Sequence, residues 1–113
     1  MPHIIVEYTE SLTSVDVPEL LFELHDDLAQ KDTINIHSIK TRAIPVKYTI
    51  VGDGEEPDKF IHITRKRLPG REDDLKKAMA QSLHDTARKH CVKDKNISLS
   101  VEVAELHAES YIK

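Results

Sequence analysis

Pro2 directly follows the initiator methionine, and Met1 is commonly removed when the next residue is this small. Removal leaves a secondary amine just ahead of the apolar run Ile4-Ile5-Val6. Such a nitrogen has a lone pair and titrates in the α-amino range, about 7.7–8.0. An apolar pocket or nearby cations lower that value toward neutrality, where a general base is effective. The plainer alternative is a proline that opens an edge strand, where a missing N–H is tolerated.

A second group of residues concerns anions. Lys40, Arg42, Lys47, Lys59, Arg65, Lys66, Arg67 and Arg71 make up half of the 16 basic residues, all within one third of the chain. Lys40 and Arg42 are two apart on a predicted strand and so share a face. Arg71 follows Pro69-Gly70 at a predicted helix start, where unpaired N–H groups also favour anions. A cation there opposes the helix dipole, which implies another use for it. Arginine forks match carboxylates through two parallel hydrogen bonds. The ordinary alternative is a solvated basic face that balances the acidic helices.

Other chemistries have less support. The seven histidines include no pair at the four-residue spacing of a helical zinc motif, and Cys91 is the single cysteine. His25 and His84 read as helix-surface residues and His62 as a strand residue. Neither metal nor cofactor is expected. The three glycines, Gly52, Gly54 and Gly70, are too few and too scattered for a phosphate-cradling loop. Cys91 near a helix end reads as a buried, inert thiol.

Composition bounds the rest. At 113 residues the chain is expected to form one domain over positions 1–113, with an aliphatic core, since aromatics are 4% and Trp is absent. A net charge of -4 argues against nucleic acid, and no apolar run reaches the roughly 18 residues of a membrane span. The start lacks the basic and long apolar segments of a signal peptide, so the cytoplasm is the expected compartment. One cysteine excludes an internal disulfide.

The elements that must position these residues repeat once. Ile4 to Tyr8 reads as a buried strand. Asp16 or Ser14 caps a helix that has Pro18 in its first turn and Leu20, Leu21, Leu24 and Leu28 at helical spacing. Asn35 to Ile44 is extended and ends before Pro45. Gly52 to Pro57 is the clearest loop, separating halves of about 1–51 and 58–113. Then follow a strand at Phe60–Thr64, a break at Leu68-Pro69-Gly70, a helix over Arg71 to His90, and a strand whose Ile97, Leu99, Val101 and Val103 alternate with Ser98, Ser100, Glu102 and Ala104. Leu24-His25-Asp26 recurs as Leu83-His84-Asp85, which favours a duplicated β-α-β unit. Crossover handedness puts both helices on one face of the sheet. The other face would show the small residues of the last strand, which permit close approach of another subunit.

Five blocks in register carry a resemblance. Pro2-His3-Ile4-Ile5-Val6-Glu7-Tyr8, Ser38-Ile39-Lys40-Thr41-Arg42, Phe60-Ile61-His62-Ile63-Thr64, Pro69-Gly70-Arg71 and Leu99 to His107 together resemble the 5-carboxymethyl-2-hydroxymuconate delta-isomerase family of the tautomerase superfamily. The resemblance implies an α+β fold: two β-α-β units forming a four-stranded mixed sheet with two helices on one face, assembled as a homotrimer. It implies Pro2 as general base in a metal- and cofactor-free isomerisation of an unsaturated 2-hydroxy acid from aromatic catabolism. Arg42, Arg71 and Lys40 would bind the carboxylates. Members of that family carry Arg-Ser-Arg where this chain has Lys40-Thr41-Arg42, and lysine lacks the planar two-pronged grip. The alternatives are another reaction of the superfamily (4-oxalocrotonate-like tautomerisation, decarboxylation or hydration) and a non-catalytic trimeric binding module.

Overall fold

The computed structural model describes residues 2–31, 34–70 and 72–113. The chain runs β1 (His3–Thr9), α1 (Val17–Ala29), β2 (Lys40–Val46), β3 (Lys59–Arg67), α2 (Asp73–His90) and β4 (Ile97–Glu105), with short 3-10 turns at Ile36–Ser38 and Ala108–Ser110. The four strands form one mixed sheet in the order β2-β1-β3-β4. β1 lies parallel to β2 and antiparallel to β3, and β3 lies parallel to β4. Each parallel pair is joined through a helix, as parallel pairing requires.

Helix α1 starts where the sequence supplies its signals. The Asp16 side chain accepts a hydrogen bond from the Glu19 amide at 3.1 Å, and Pro18 sits in the first turn. Leu20, Leu24 and Leu28 are buried against Ile4 and Val6 of β1 and Ile61 and Ile63 of β3. All but Leu28 of these are fully inaccessible, so the aliphatic contact between α1 and the two central strands is the centre of the core. Helix α2 differs along its length. Leu83, Thr86 and Ala87 are buried, but Leu75 near its start is 40% exposed. Lys76 ties this first turn down by donating to Glu105 at the end of β4, 3.0 Å, and pairs with Asp73 at 3.2 Å. Those two acidic partners, Glu105 first, raise the ammonium pKa.

Both helices cover the sheet face that carries Ile4, Val6, Ile61 and Ile63, as expected. The opposite face presents Phe60, His62, Thr64 and Lys66 in register with Ser98, Ser100, Glu102 and Ala104. There Ser100 Oγ meets His62 Nδ1 at 2.6 Å, while His62 Nε2 donates to Glu102 at 2.9 Å. Thr64 also donates to Glu102, and the His62 hydrogen bond first, then that of Thr64, holds the Glu102 carboxyl below its ordinary range.

Two boundaries differ from the sequence reading. The stretch expected to be extended from Asn35 opens instead as a 3-10 turn, because Asn35 accepts from the His37 amide at 3.0 Å and Ser38 Oγ donates to the Asn35 carbonyl at 2.7 Å. Strand β2 also runs through Pro45 to Val46 rather than stopping before it. β2 is the edge strand, and a proline whose nitrogen faces outward removes no ladder hydrogen bond.

Candidate active site

A cleft of about 810 Å³ opens between the two helices at the end of the sheet where β1 begins and β3 ends. Pro2 lines it and is buried. Its carbonyl accepts from the Lys40 amide at 3.1 Å, which pins the residue to β2 just ahead of the β1 ladder. The walls are apolar: Leu24 and Leu28 from α1, Ile34 beyond it, and Leu75, Ala78, Met79 and Leu83 from α2. The exposed apolar residues at the start of α2 are thereby accounted for, since they face the cleft rather than the core. Leu68, Pro69 and Gly70 close one side, and Gly70 takes a φ of 114°, a left-handed turn that side chains rarely tolerate.

Two arginines share this cleft with Pro2. The alternation that turns Ile61 and Ile63 inward continues along β3 and turns Arg65 and Arg67 to the same face. Arg65 pairs with Ile4 in the antiparallel register, and His3 with Lys66. One further step in that register sets Arg67 opposite Pro2. Directly opposite residues on one face have Cβ atoms about 4.5–5.5 Å apart, and diagonal ones about 7–8 Å. Arg65 is only 6% exposed. A buried guanidinium is costly to desolvate unless it is paired, so a cation at this depth is a feature of the fold rather than of the solvated surface. Arg67 donates through Nε to the Leu68 carbonyl at 3.2 Å and through Nη1 to the Met79 sulfur at 3.3 Å. Neither arginine was singled out from sequence beyond membership of the basic cluster. The two-residue period of β3, carried past Thr64, is the signal that finds them.

Lys40 and Arg42 sit elsewhere in the protomer. Thr41 between them turns toward α1, where its Oγ1 bonds His25 Nδ1 at 2.8 Å. Lys40 and Arg42 therefore face the helix-free side, as the shared-face expectation requires, and neither lines the Pro2 cleft. Arg42 Nη1 donates to His3 Nδ1 at 3.1 Å. With Nδ1 accepting, His3 is the neutral tautomer that donates from Nε2 to the Tyr111 hydroxyl at 2.8 Å. Burial first, then Arg42, Lys40 and Lys66, lower the His3 pKa. Arg71 lies outside the described residues. Cys91 is buried and burial raises its thiol pKa, which matches an inert packing role.

Among the described residues, the charged ones lining the cleft are Lys31, Arg65, Arg67 and Asp27, whose Oδ2 accepts from Thr86 of α2 at 3.0 Å. The site thus combines a buried proline, a cationic floor and apolar walls. That arrangement can hold a conjugated organic anion beside Pro2. Among the described residues no His, Cys, Asp and Glu side chains group closely enough to hold a metal ion, and no helix is long and apolar enough to cross a membrane.

The family model described as 5-carboxymethyl-2-hydroxymuconate isomerase matches residues 2–113. Among solved structures, a 5-carboxymethyl-2-hydroxymuconate isomerase from Deinococcus radiodurans R1 superposes with a TM-score of 0.87 at 29% identity, covering 99% of this chain and 87% of that one. A 5-carboxymethyl-2-hydroxymuconate delta-isomerase gives 0.83 at 16% identity over 100% and 87% of the two chains. A fused wild-type 4-OT symmetric trimer gives 0.73 at 17% identity over 95% and 88%. A macrophage migration inhibitory factor-like protein from Entamoeba histolytica, at 0.67 and 17%, shares the same fold over 99% and 94%. No curated protein sequence matches significantly.

Proposed function

The chain belongs to the 5-carboxymethyl-2-hydroxymuconate isomerase family, and from that premise we propose that it moves a proton within an unsaturated 2-hydroxy or 2-oxo di- or tricarboxylic acid, foremost 5-carboxymethyl-2-hydroxymuconate, using the nitrogen of Pro2 as base. An isomerase role of the tautomerase type follows from the family itself. The observation that carries the rest is the burial of Pro2 in an apolar cleft beside Arg65 and Arg67.

The chemistry conserves the proton. After Met1 removal the Pro2 nitrogen is a secondary amine, and both an apolar wall and neighbouring cations favour its neutral form. The amine takes the proton of the dienol hydroxyl. The O–H electrons become the carbonyl π bond, the first C=C moves one bond along the chain, and the π electrons of the second form the new C–H bond as the distal carbon takes the proton back from the prolinium. Charge accumulates on substrate oxygen in the transition state, where fixed guanidinium groups stabilise it. No electrons are gained or lost, so the reaction requires no redox cofactor.

Lys40, Arg42 and Arg71 remain proposed carboxylate ligands. With Lys40 and Arg42 on the helix-free face of the edge strand, their contribution requires a neighbouring protomer, which the proposed homotrimer provides. The substrate would then be gripped across a subunit boundary, in the cytoplasm, as an intermediate of aromatic-ring catabolism. Mass spectrometry of the purified protein, with an ultraviolet assay of dienol ketonisation, tests the base. Processed protein is expected to be active and protein retaining Met1 inactive, because the acylated Pro2 nitrogen has no usable lone pair. Equal activity of the two forms would exclude Pro2 as the base. Arg42→Ala is expected to lower kcat/KM for the dienol, roughly 10-fold or more for a lost charge-assisted contact. An unchanged kcat/KM would remove Arg42 from the site.

A further inference from the structure

Resting on the reading of Arg42 as a carboxylate ligand, we propose that His3, braced by Tyr111, is a positioning residue that sets the orientation of the Arg42 guanidinium. Arg42 is exposed on the edge strand, where a long side chain ordinarily samples many rotamers. Here its Nη1 donates to His3 Nδ1 at 3.1 Å. In the parallel register Arg42 pairs with Ile5, and His3 with Lys40. The bond therefore draws the guanidinium back along the sheet, toward the end where Pro2 sits. His3 is itself fixed from its other side. Its Nε2 donates to the Tyr111 hydroxyl at 2.8 Å, and the two rings meet edge to face, centroids 5.8 Å apart and planes at 85°. Tyr111 follows the 3-10 turn at Ala108–Ser110, so a segment beyond β4 folds back to brace β1. The two contacts hold the ring plane, and a proton kept on Nε2 leaves the Nδ1 lone pair for Arg42. Burial first, and then the positive charges of Arg42, Lys40 and Lys66, favour that neutral ring. One guanidinium N–H is engaged by His3, and the planar fork keeps others for a carboxylate. Lys40, on the same face, supplies a point charge only, so directional recognition at this edge of the sheet falls to Arg42.

The test is a double-mutant cycle on full-length protein with a processed amino terminus, read as kcat and KM for 5-carboxymethyl-2-hydroxymuconate. Arg42→Ala alone is expected to lower kcat/KM roughly tenfold or more. His3→Phe keeps a ring without an acceptor, and should lower kcat/KM about fivefold, chiefly through a raised KM. In the Arg42→Ala background the same substitution should change kcat/KM by less than about twofold, because His3 acts through Arg42. His3→Asn, whose side-chain oxygen can take the place of Nδ1, should recover most of the lost kcat/KM. A His3→Phe variant within about twofold of wild type, beside an impaired Arg42→Ala, overturns the positioning role and leaves Arg42 as a ligand. Losses that multiply in the double variant also overturn it, since His3 would then act independently of Arg42. An unchanged kcat/KM in Arg42→Ala removes the ligand reading, and the positioning role with it. If His3→Phe does not fold by circular dichroism, His3→Gln takes its place in the cycle, because its amide reaches toward Tyr111 rather than Arg42.

Discussion

At the scale of residues, the strand register brings Pro2 together with Arg65 and Arg67 at one cleft. The position of Pro2 after Met1 drew notice to it but favoured a plain edge-strand proline, and its assignment as base came through the resemblance; the shared face of Lys40 and Arg42 was legible from their spacing. Arg65 and Arg67 were not singled out, because arginine near a strand end ordinarily reads as solvated surface. Only the continued inward alternation from Ile61 and Ile63 shows otherwise. His3, next to Pro2, points to the opposite face and is held neutral between Arg42 and Tyr111. Its pKa is depressed in the folded chain, so the unfolded chain binds the proton more readily. Its contribution to stability is therefore full above the ordinary value of 6.5 and is lost as pH falls below that value toward the lower folded one. An NMR titration is expected to place His3 below 6.5, and Arg42→Ala to move it upward. A His3 midpoint at or above 6.5 would contradict this electrostatic picture.

At the scale of elements, the two helices divide the labour of core and cleft. Helix α1 was readable in detail, since its cap, its proline and its leucine spacing all agree. Helix α2 was located correctly from His90 back to its first turn, but the exposure of Leu75 comes from a cleft that no single-segment pattern encodes. The 3-10 turn at Ile36–Ser38 escaped for a similar reason: side-chain hydrogen bonds from Asn35 and Ser38 override an otherwise extended stretch. Leu20 is fully buried and does not line the cleft. Leu20→Ala is therefore expected to cost about 2–5 kcal/mol of stability. Asp16→Ala, which removes only the cap of the same helix, should cost about 1 kcal/mol. Urea denaturation of the two variants measures the difference. Equal losses would mean that the contact of α1 with the sheet is not the centre of the core.

At the scale of the whole molecule, a chain of 113 residues leaves one sheet face without helices. That face is not greasy: the His62, Ser100, Thr64 and Glu102 network fills its centre with satisfied polar groups. The small residues of β4 lie in register with this network and permit close approach of further copies, consistent with the proposed trimer. Sedimentation equilibrium is expected to give three times the monomer mass, and a strictly monomeric protein would leave Lys40 and Arg42 without a cleft to serve. The fold was legible because duplicated β-α-β patterning restricts topology so strongly. The proposed assembly rests on the resemblance and on the small residues of β4, since a single chain shows which face is open but not what covers it. The most direct test of the whole account is the rate of 5-carboxymethyl-2-hydroxymuconate ketonisation by processed wild type and by Pro2→Ala, each verified by mass. Loss of the secondary amine should lower kcat at least ~100-fold, the scale of a general base. Equal rates would contradict the assignment of Pro2 as the base.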